Sequence, residues 1–263
     1  MNNNVLIIVF QEGASGFDHI SRLNSEYTAS AMAGDVNAAA KGAFDAGAGA
    51  VYVFDPHDSP YALHSAVFKK NLDGAVKFVG GRELGELLAA GEISRAMLVG
   101  AHAMPGTQGA FLDGAHNPVA WHDYKLNGVS YGETGIAAVY LGQFDVPVVM
   151  VAGDGAGCRE ATALCGDITS AVVKTAKYRN RTESCLSADE ARGLIYNAAA
   201  AAMEATPPAP YKAALPLEIE ITFNRTDFCD DCIFCNNFTL QRTGARRAVK
   251  VLNSVRYYAD LIF

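Results

Sequence analysis

Leu98 to Glu133 reads LVGAHAMPGTQGAFLDGAHNPVAWHDYKLNGVSYGE. A short apolar run feeds into a glycine-rich turn, and the stretch carries His102, His116 and His122 together with Asp113 and Glu133. The run Ala96 to Gly100 predicts a buried strand. His102 then stands at the carboxyl end of that strand, where open α/β sheets place their ligands. Function turns on whether the rest of the chain brings further ligands to the same rim.

Working outward toward the amino end, Val5 to Phe10 is a continuous apolar, β-branched run that predicts a buried parallel strand, with Glu12 just past its end. The Ala-rich segment from Thr28 to Ala46 predicts a helix. VYVFD, Val51 to Asp55, predicts a second strand that ends in PHDSP and sets His57 at another carboxyl edge. A third strand near Val76 to Val79 and a helix through Arg82 to Ala90 lead back to the strand before His102.

On the other side, Val119 to Lys125 and Val129 to Tyr131 flank Asn127-Gly128, a dipeptide that favours a primed hairpin turn. Glu133 opens the next helix. Val146 to Asp154 predicts the clearest buried strand, followed by a helix from near Gly157. The Gly-Asp-Gly-Ala-Gly turn between them lacks both GxGxxG spacing and a P-loop lysine, so it reads as a tight turn rather than a phosphate cradle. This alternation predicts right-handed crossovers and a mostly parallel sheet flanked by helices.

Past Gly166 the pattern changes. A strand at Ile168 to Val173 is followed by KYRNRT at 177–182, read as a solvated basic loop or a subunit contact. A helix from Ser187 to Ala205, the linker TPPAPYKAALP and the alternating strand LEIEITF come next. A polar strand around Phe238 to Arg242 and a closing helix from Arg246 to Leu261 complete a βαββα unit. The fold expected is α/β, with a metal-site domain over residues 1–165 and a second, smaller α+β domain over 166–263.

Composition narrows the partners. The chain has 263 residues, half of them apolar, enough for a large core. A net charge of -7 and a pI near 5.3 argue against nucleic acid or an anionic membrane as the main partner and favour a small one. The opening MNNNVLIIVF lacks a basic n-region and no run of about 18 apolar residues follows, so the expected location is the cytoplasm. Of the six cysteines, Cys229, Cys232 and Cys235 form two overlapping CxxC spacings. A thiolate metal site normally wants four ligands and no fourth is near, so plain thiols are expected there.

Glu12, His57, His102 and Glu133 all fall at strand ends or helix starts on one rim. Two imidazoles and two carboxylates suit zinc, with manganese or another divalent ion as alternatives. No local motif such as HExxH fixes two of them at once.

QEGASG, FDPHDS, GAHAMPGTQG with its later AHN, NGVSYGETG, and VPVVMVAGD followed by SAVVKTA together resemble the M55 metallopeptidase family of D-aminopeptidases. The resemblance runs from the first strand through about Leu194 and more loosely to the end. It implies a zinc-dependent aminopeptidase that removes amino-terminal residues, D-alanine among them, from short peptides, and a homo-oligomer, a ring-stacked decamer. Position by position it implies Glu12, His57, His102 and Glu133 as metal ligands, His116 as the catalytic histidine, and Asp55 as an acidic neighbour that orients His57.

One position departs. An aspartate expected to bridge two zinc ions falls on Phe10. Two divalent cations about 3.5 to 4 Å apart repel strongly without such a bridge, so the expectation is one zinc ion rather than two. Asp113 and Asp18 are candidate replacements. The alternatives to a peptidase are an amidase acting on a non-peptide amide, and a non-hydrolytic oligomeric binding protein with a degenerate metal site.

Overall fold

The structure is a computed structural model that describes residues 2–19, 21, 25–58, 64–235 and 239–262. In chain order it contains β1 (Val5–Val9), α1 (Glu26–Asp45), β2 (Val51–Phe54), α2 (Ser65–Lys70), β3 (Lys77–Phe78), α3 (Gly81–Ala89), β4 (Arg95–Ala101), β5 (Trp121–Leu126) and β6 (Val129–Ser130). It continues with α4 (Glu133–Gly142), β7 (Val148–Asp154), α5 (Gly155–Cys165), β8 (Thr169–Tyr178), β9 (Arg181–Cys185) and α6 (Ala188–Glu204). The last elements are β10 (Leu217–Phe223), α7 (Thr226–Cys235), β11 (Gln241–Gly244) and β12 (Arg247–Leu252).

Among the described residues the strands form a seven-stranded sheet, β3-β2-β1-β4-β7-β8-β9, and a five-stranded antiparallel one, β11-β12-β10-β5-β6. β1 lies between β2 and β4 in parallel pairing, and all five of its residues, VLIIV, are fully buried. Burying five such side chains contributes roughly 10 kcal/mol before entropy is counted, which is why the run sits at the sheet's centre. Val5, Ile7 and Val9 face the layer of α1 and α6, while Leu6 and Ile8 face the core shared with α3, α4, α5 and the second sheet.

β4 carries a backbone that only glycine serves. Gly100 has φ +85, and a Cβ there would stand 2.0 Å from the carbonyl oxygen of Phe10. The ends of β1 and β4 are thereby pressed together, and with them the turns that follow. The Asn127-Gly128 turn has φ 49 and 79, the primed hairpin geometry its sequence predicts.

The carboxyl half differs from expectation at several points. KYRNRT is not a loop: it supplies the end of β8 and the start of β9, an antiparallel edge hairpin. The stretch read as a closing helix from Arg246 to Leu261 is instead β12, a bend and a short 3-10 turn at Tyr258–Asp260. Arg247–Leu252 pairs with β10 on one side and β11 on the other, and its Val249 and Val251 prefer extended backbone. The polar strand expected around Phe238 begins at Gln241, and Phe238 itself lies outside the described residues. The sheets also ignore a division at residue 165: β8, β9 and α6 extend the first layer system, and the second sheet reaches back to β5 and β6.

Candidate metal centre

Glu133, the first residue of α4, is 4% exposed. Its Oε1 lies 3.4 Å from Nε2 of His57 and its Oε2 lies 3.4 Å from Nε2 of His102. His57 follows β2 and His102 follows β4, so turns on either side of β1 at one sheet rim deliver both rings to one carboxylate. The ring of His116 stacks on His57 at 4.5 Å with a 13° tilt, and His57, His116 and Glu133 each offer a ligand atom within 4.8 Å of the others.

Glu12 sits in the 3-10 turn Gln11–Gly13 just past β1. Asp55, buried at the end of β2, accepts the backbone N–H of His57 at 2.9 Å and the Gln11 side-chain amide at 2.5 Å. It thus pins the turn bearing His57 to the turn bearing Glu12, acting on backbone rather than on the imidazole. Behind His102, Gly157 of α5 lies so close that a Cβ would meet the His102 backbone at 2.8 Å.

Phe10 is fully buried, its ring edge-on to His102 at 6.1 Å. Neither candidate aspartate compensates for it. Asp113 is taken by the Arg179 guanidinium and by the N–H of Gly106 at 2.7 Å. Asp18 lies toward β9, where its carbonyl accepts from Thr182.

Charge is strongly organised here. Burial works against a proton on His57 and His102, but Glu133, helped by Glu12, outweighs it and pushes His57 up to about 10 and His102 up to about 9. Glu133 stays well below the usual carboxylate range because the two imidazoles overcome its own burial. His116 goes the other way: burial, then the charge on His57, push it down to about 4. Burial raises Asp55 to about 6.

Sequence reading missed several residues that build this site. Glu160 of α5 accepts N–H groups from Met104, at 2.7 Å, and from Gly132, tying together the segments that carry His102 and Glu133. Asp154 caps α5 and accepts the N–H of Phe111 at 2.8 Å. An acidic residue in a helix interior gives no sequence signal for such a bond. Trp121, expected in the hairpin, is there and also packs on His116 at 5.9 Å, while His122 beside it is exposed. The CxxC cysteines lie on α7, with Cys229 buried, Cys232 partly so and Cys235 exposed.

A family model described as D-aminopeptidase, peptidase family M55, matches residues 4–258. The chain belongs to the M55 D-aminopeptidase family. A curated D-aminopeptidase from Bacillus subtilis (strain 168) is 34% identical over 110 residues, a match spanning 41% of this chain and 39% of that relative. A solved structure described as Zn-dependent D-aminopeptidase DppA from Bacillus subtilis, a self-compartmentalizing protease, superposes with a TM-score of 0.85. That likeness covers 98% of this chain and 95% of the other at 22% identity, and it shows the α/β fold with a second antiparallel sheet. Among the described residues no helix is long and apolar enough to cross a membrane.

This cluster fits a zinc ion by its own chemistry. Glu12 Oε2, Glu133 Oε2, His57 Nδ1 and His116 Nδ1 are buried without a hydrogen-bond partner, a costly arrangement unless another species satisfies them. Two donors each about 2.0–2.1 Å from a tetrahedral zinc stand roughly 3.4 Å apart. That is the spacing from Glu133 to each imidazole, too long for a good hydrogen bond.

Proposed function

We propose that this M55 chain is a zinc-dependent aminopeptidase acting on short peptides, with those bearing D-alanine at the amino end among its substrates. The observation that carries the reading is Glu133 held between His57 and His102 with buried acceptor atoms left over. His57, His102, Glu133 and Glu12 would hold the metal, one zinc ion rather than two, since the apolar ring of Phe10 offers no bridge beside His102. When bound, such an ion supplies Lewis acidity, polarising a carbonyl and bringing the pKa of a water near 7.

The chain's own residues supply the rest. His116, kept neutral by burial, can accept a proton from the attacking water and return it to the leaving amine. Its stacking on His57 and the packing of Trp121 restrict that ring to one orientation. Asp55 holds the His57 backbone, and Glu160 holds the Met104 and Gly132 N–H groups, so the ligand-bearing turns keep their spacing. A cavity of about 600 Å³ opens between Met104, Gly114, Trp121 and Arg179, room for a peptide of a few residues.

Homo-oligomeric assembly, with a decamer as its specific form, belongs to the same reading. It is supported by the self-compartmentalizing relative and by exposed apolar side chains such as Val119 and Phe234. A cytoplasmic location belongs to the same proposal.

The test is release of D-alanine from D-alanyl-D-alanine. Turnover abolished by a chelator and restored by zinc is expected. Bound metal without turnover on a broad panel of peptides and amides would overturn the peptidase reading in favour of a binding protein.

A further inference from the structure

The cavity walled in part by Trp121, whose ring packs on His116, holds one cationic side chain that the proposed chemistry does not use. Its walls are residues next to the site: Met104 is two positions past His102, Gly114 is two before His116, and Ser130 is three before Glu133. Arg179 enters from the β8–β9 turn. That turn is docked on the His116-bearing loop, with the Asn180 N–H donated to the Phe111 carbonyl at 2.8 Å.

Asp113 fixes the guanidinium by one edge. Its carboxylate takes Nε and its carbonyl takes Nη2 at 3.5 Å, while the Nη1 edge has no acceptor among the described residues. Half of the side chain is solvent-accessible. The other charges nearby cannot play this part: Asp123 is anionic and paired with Lys125 at 3.5 Å. An Arg held by its Nε edge still presents donors in a planar fork that suits a carboxylate.

The distance is right for a short ligand. Asp113 lies three residues from His116, at most roughly 10 Å of backbone. A peptide residue spans about 3.3–3.6 Å, so two or three residues fill that gap.

We infer that Arg179 receives the free carboxylate of a short peptide, making this site selective for di- and tripeptide acids over amides and longer chains. This rests on the peptidase reading and narrows its substrate class. Arg179 is a specificity residue here, distinct from the groups that hold metal or move protons.

The experiment compares D-alanyl-D-alanine with its carboxyl-terminal amide on the zinc-loaded full chain. Two readouts are taken: steady-state kinetics, and the fluorescence of the sole tryptophan, Trp121, which lines the cavity. One charge-assisted pair is worth about 10-fold or more, so the wild type is expected to favour the acid by about that factor in KM. Arg179→Met is expected to raise KM for the acid by about 10-fold, leaving kcat and both constants for the amide within about 2-fold, with partial recovery in Arg179→Lys. Asp113→Asn, which breaks the anchor but keeps the cation, is expected to retain the preference for the acid.

Equal effects of Arg179→Met on acid and amide, or its effects reproduced by Asp113→Asn, would make the residue a loop anchor and overturn the inference. A wild type that binds the two ligands equally also overturns it. If neither ligand is hydrolysed, the peptidase reading fails on its own, and the fluorescence titrations still decide whether Arg179 selects the carboxylate.

Discussion

Glu133 reaches His57 with one oxygen and His102 with the other, at 3.4 Å each. Without metal both imidazoles hold protons at neutral pH, since their pKa values are raised to about 10 and about 9. A raised histidine contributes stability that is fully present below its unfolded pKa near 6.5 and is lost as pH climbs through the folded value. Between pH 6.5 and 8, below the titration of Lys174 near 8, the melting temperature of the chelated chain is therefore expected to fall. The zinc-loaded chain is expected to show no such decline over this window, and scanning calorimetry with and without chelator checks the contrast. Because metal must displace these protons, zinc binding at pH 7.5 is expected to release close to two, read by calorimetry in buffers of different ionisation enthalpy. His57, His102 and Glu133 were legible because strand ends in an α/β sheet share one rim. The role of Glu160 was not, since it depends on which backbone N–H groups a helix interior happens to meet.

Elements set the precision of that rim. α5 can approach the turn after β4 only because residue 157 is glycine, so Gly157→Ala is expected to push His102 out of place. About 10-fold weaker zinc binding by chelator competition, with the fold kept, is the outcome expected of so small a displaced ligand. On the opposite side, the buried Lys174 amine of β8 donates to the Ala14 carbonyl at 2.5 Å and sits over the Phe17 ring at 3.8 Å. Lys174→Ala strands that carbonyl and is expected to cost about 2–3 kcal/mol in denaturant unfolding. The capping box at Ser187 and Glu190 on α6 is worth less, and Ser187→Ala is expected to cost about 1 kcal/mol. Elements of the first half could be read because buried parallel strands are long apolar runs. β12 was read as helix because RAVKVL lacks a long apolar run and its burial comes from β10, some thirty residues earlier, and from a polar edge partner, β11. KYRNRT looked like a loop because an edge hairpin wears its charges outward.

Across the whole molecule, the site lies where two sheets meet. β5 and β6 follow the His116 loop into the second sheet beside β10, and the β5 face bearing Trp121 and Tyr124 packs into the core shared with β1, β4 and α4. A fragment of residues 1–165 would lose β8 from beside β7 and α6 from beside α1, and it is expected to show no cooperative unfolding transition. The division at 165 followed a change in periodicity, which marks where helices and strands alternate differently and not where a core ends. The most direct test of the metal centre is zinc per chain after equilibrium dialysis, for the wild type and for Glu133→Ala. The expected result is one zinc per wild-type chain and essentially none in the variant; a wild type that stays empty, or a variant that keeps its zinc, would contradict it.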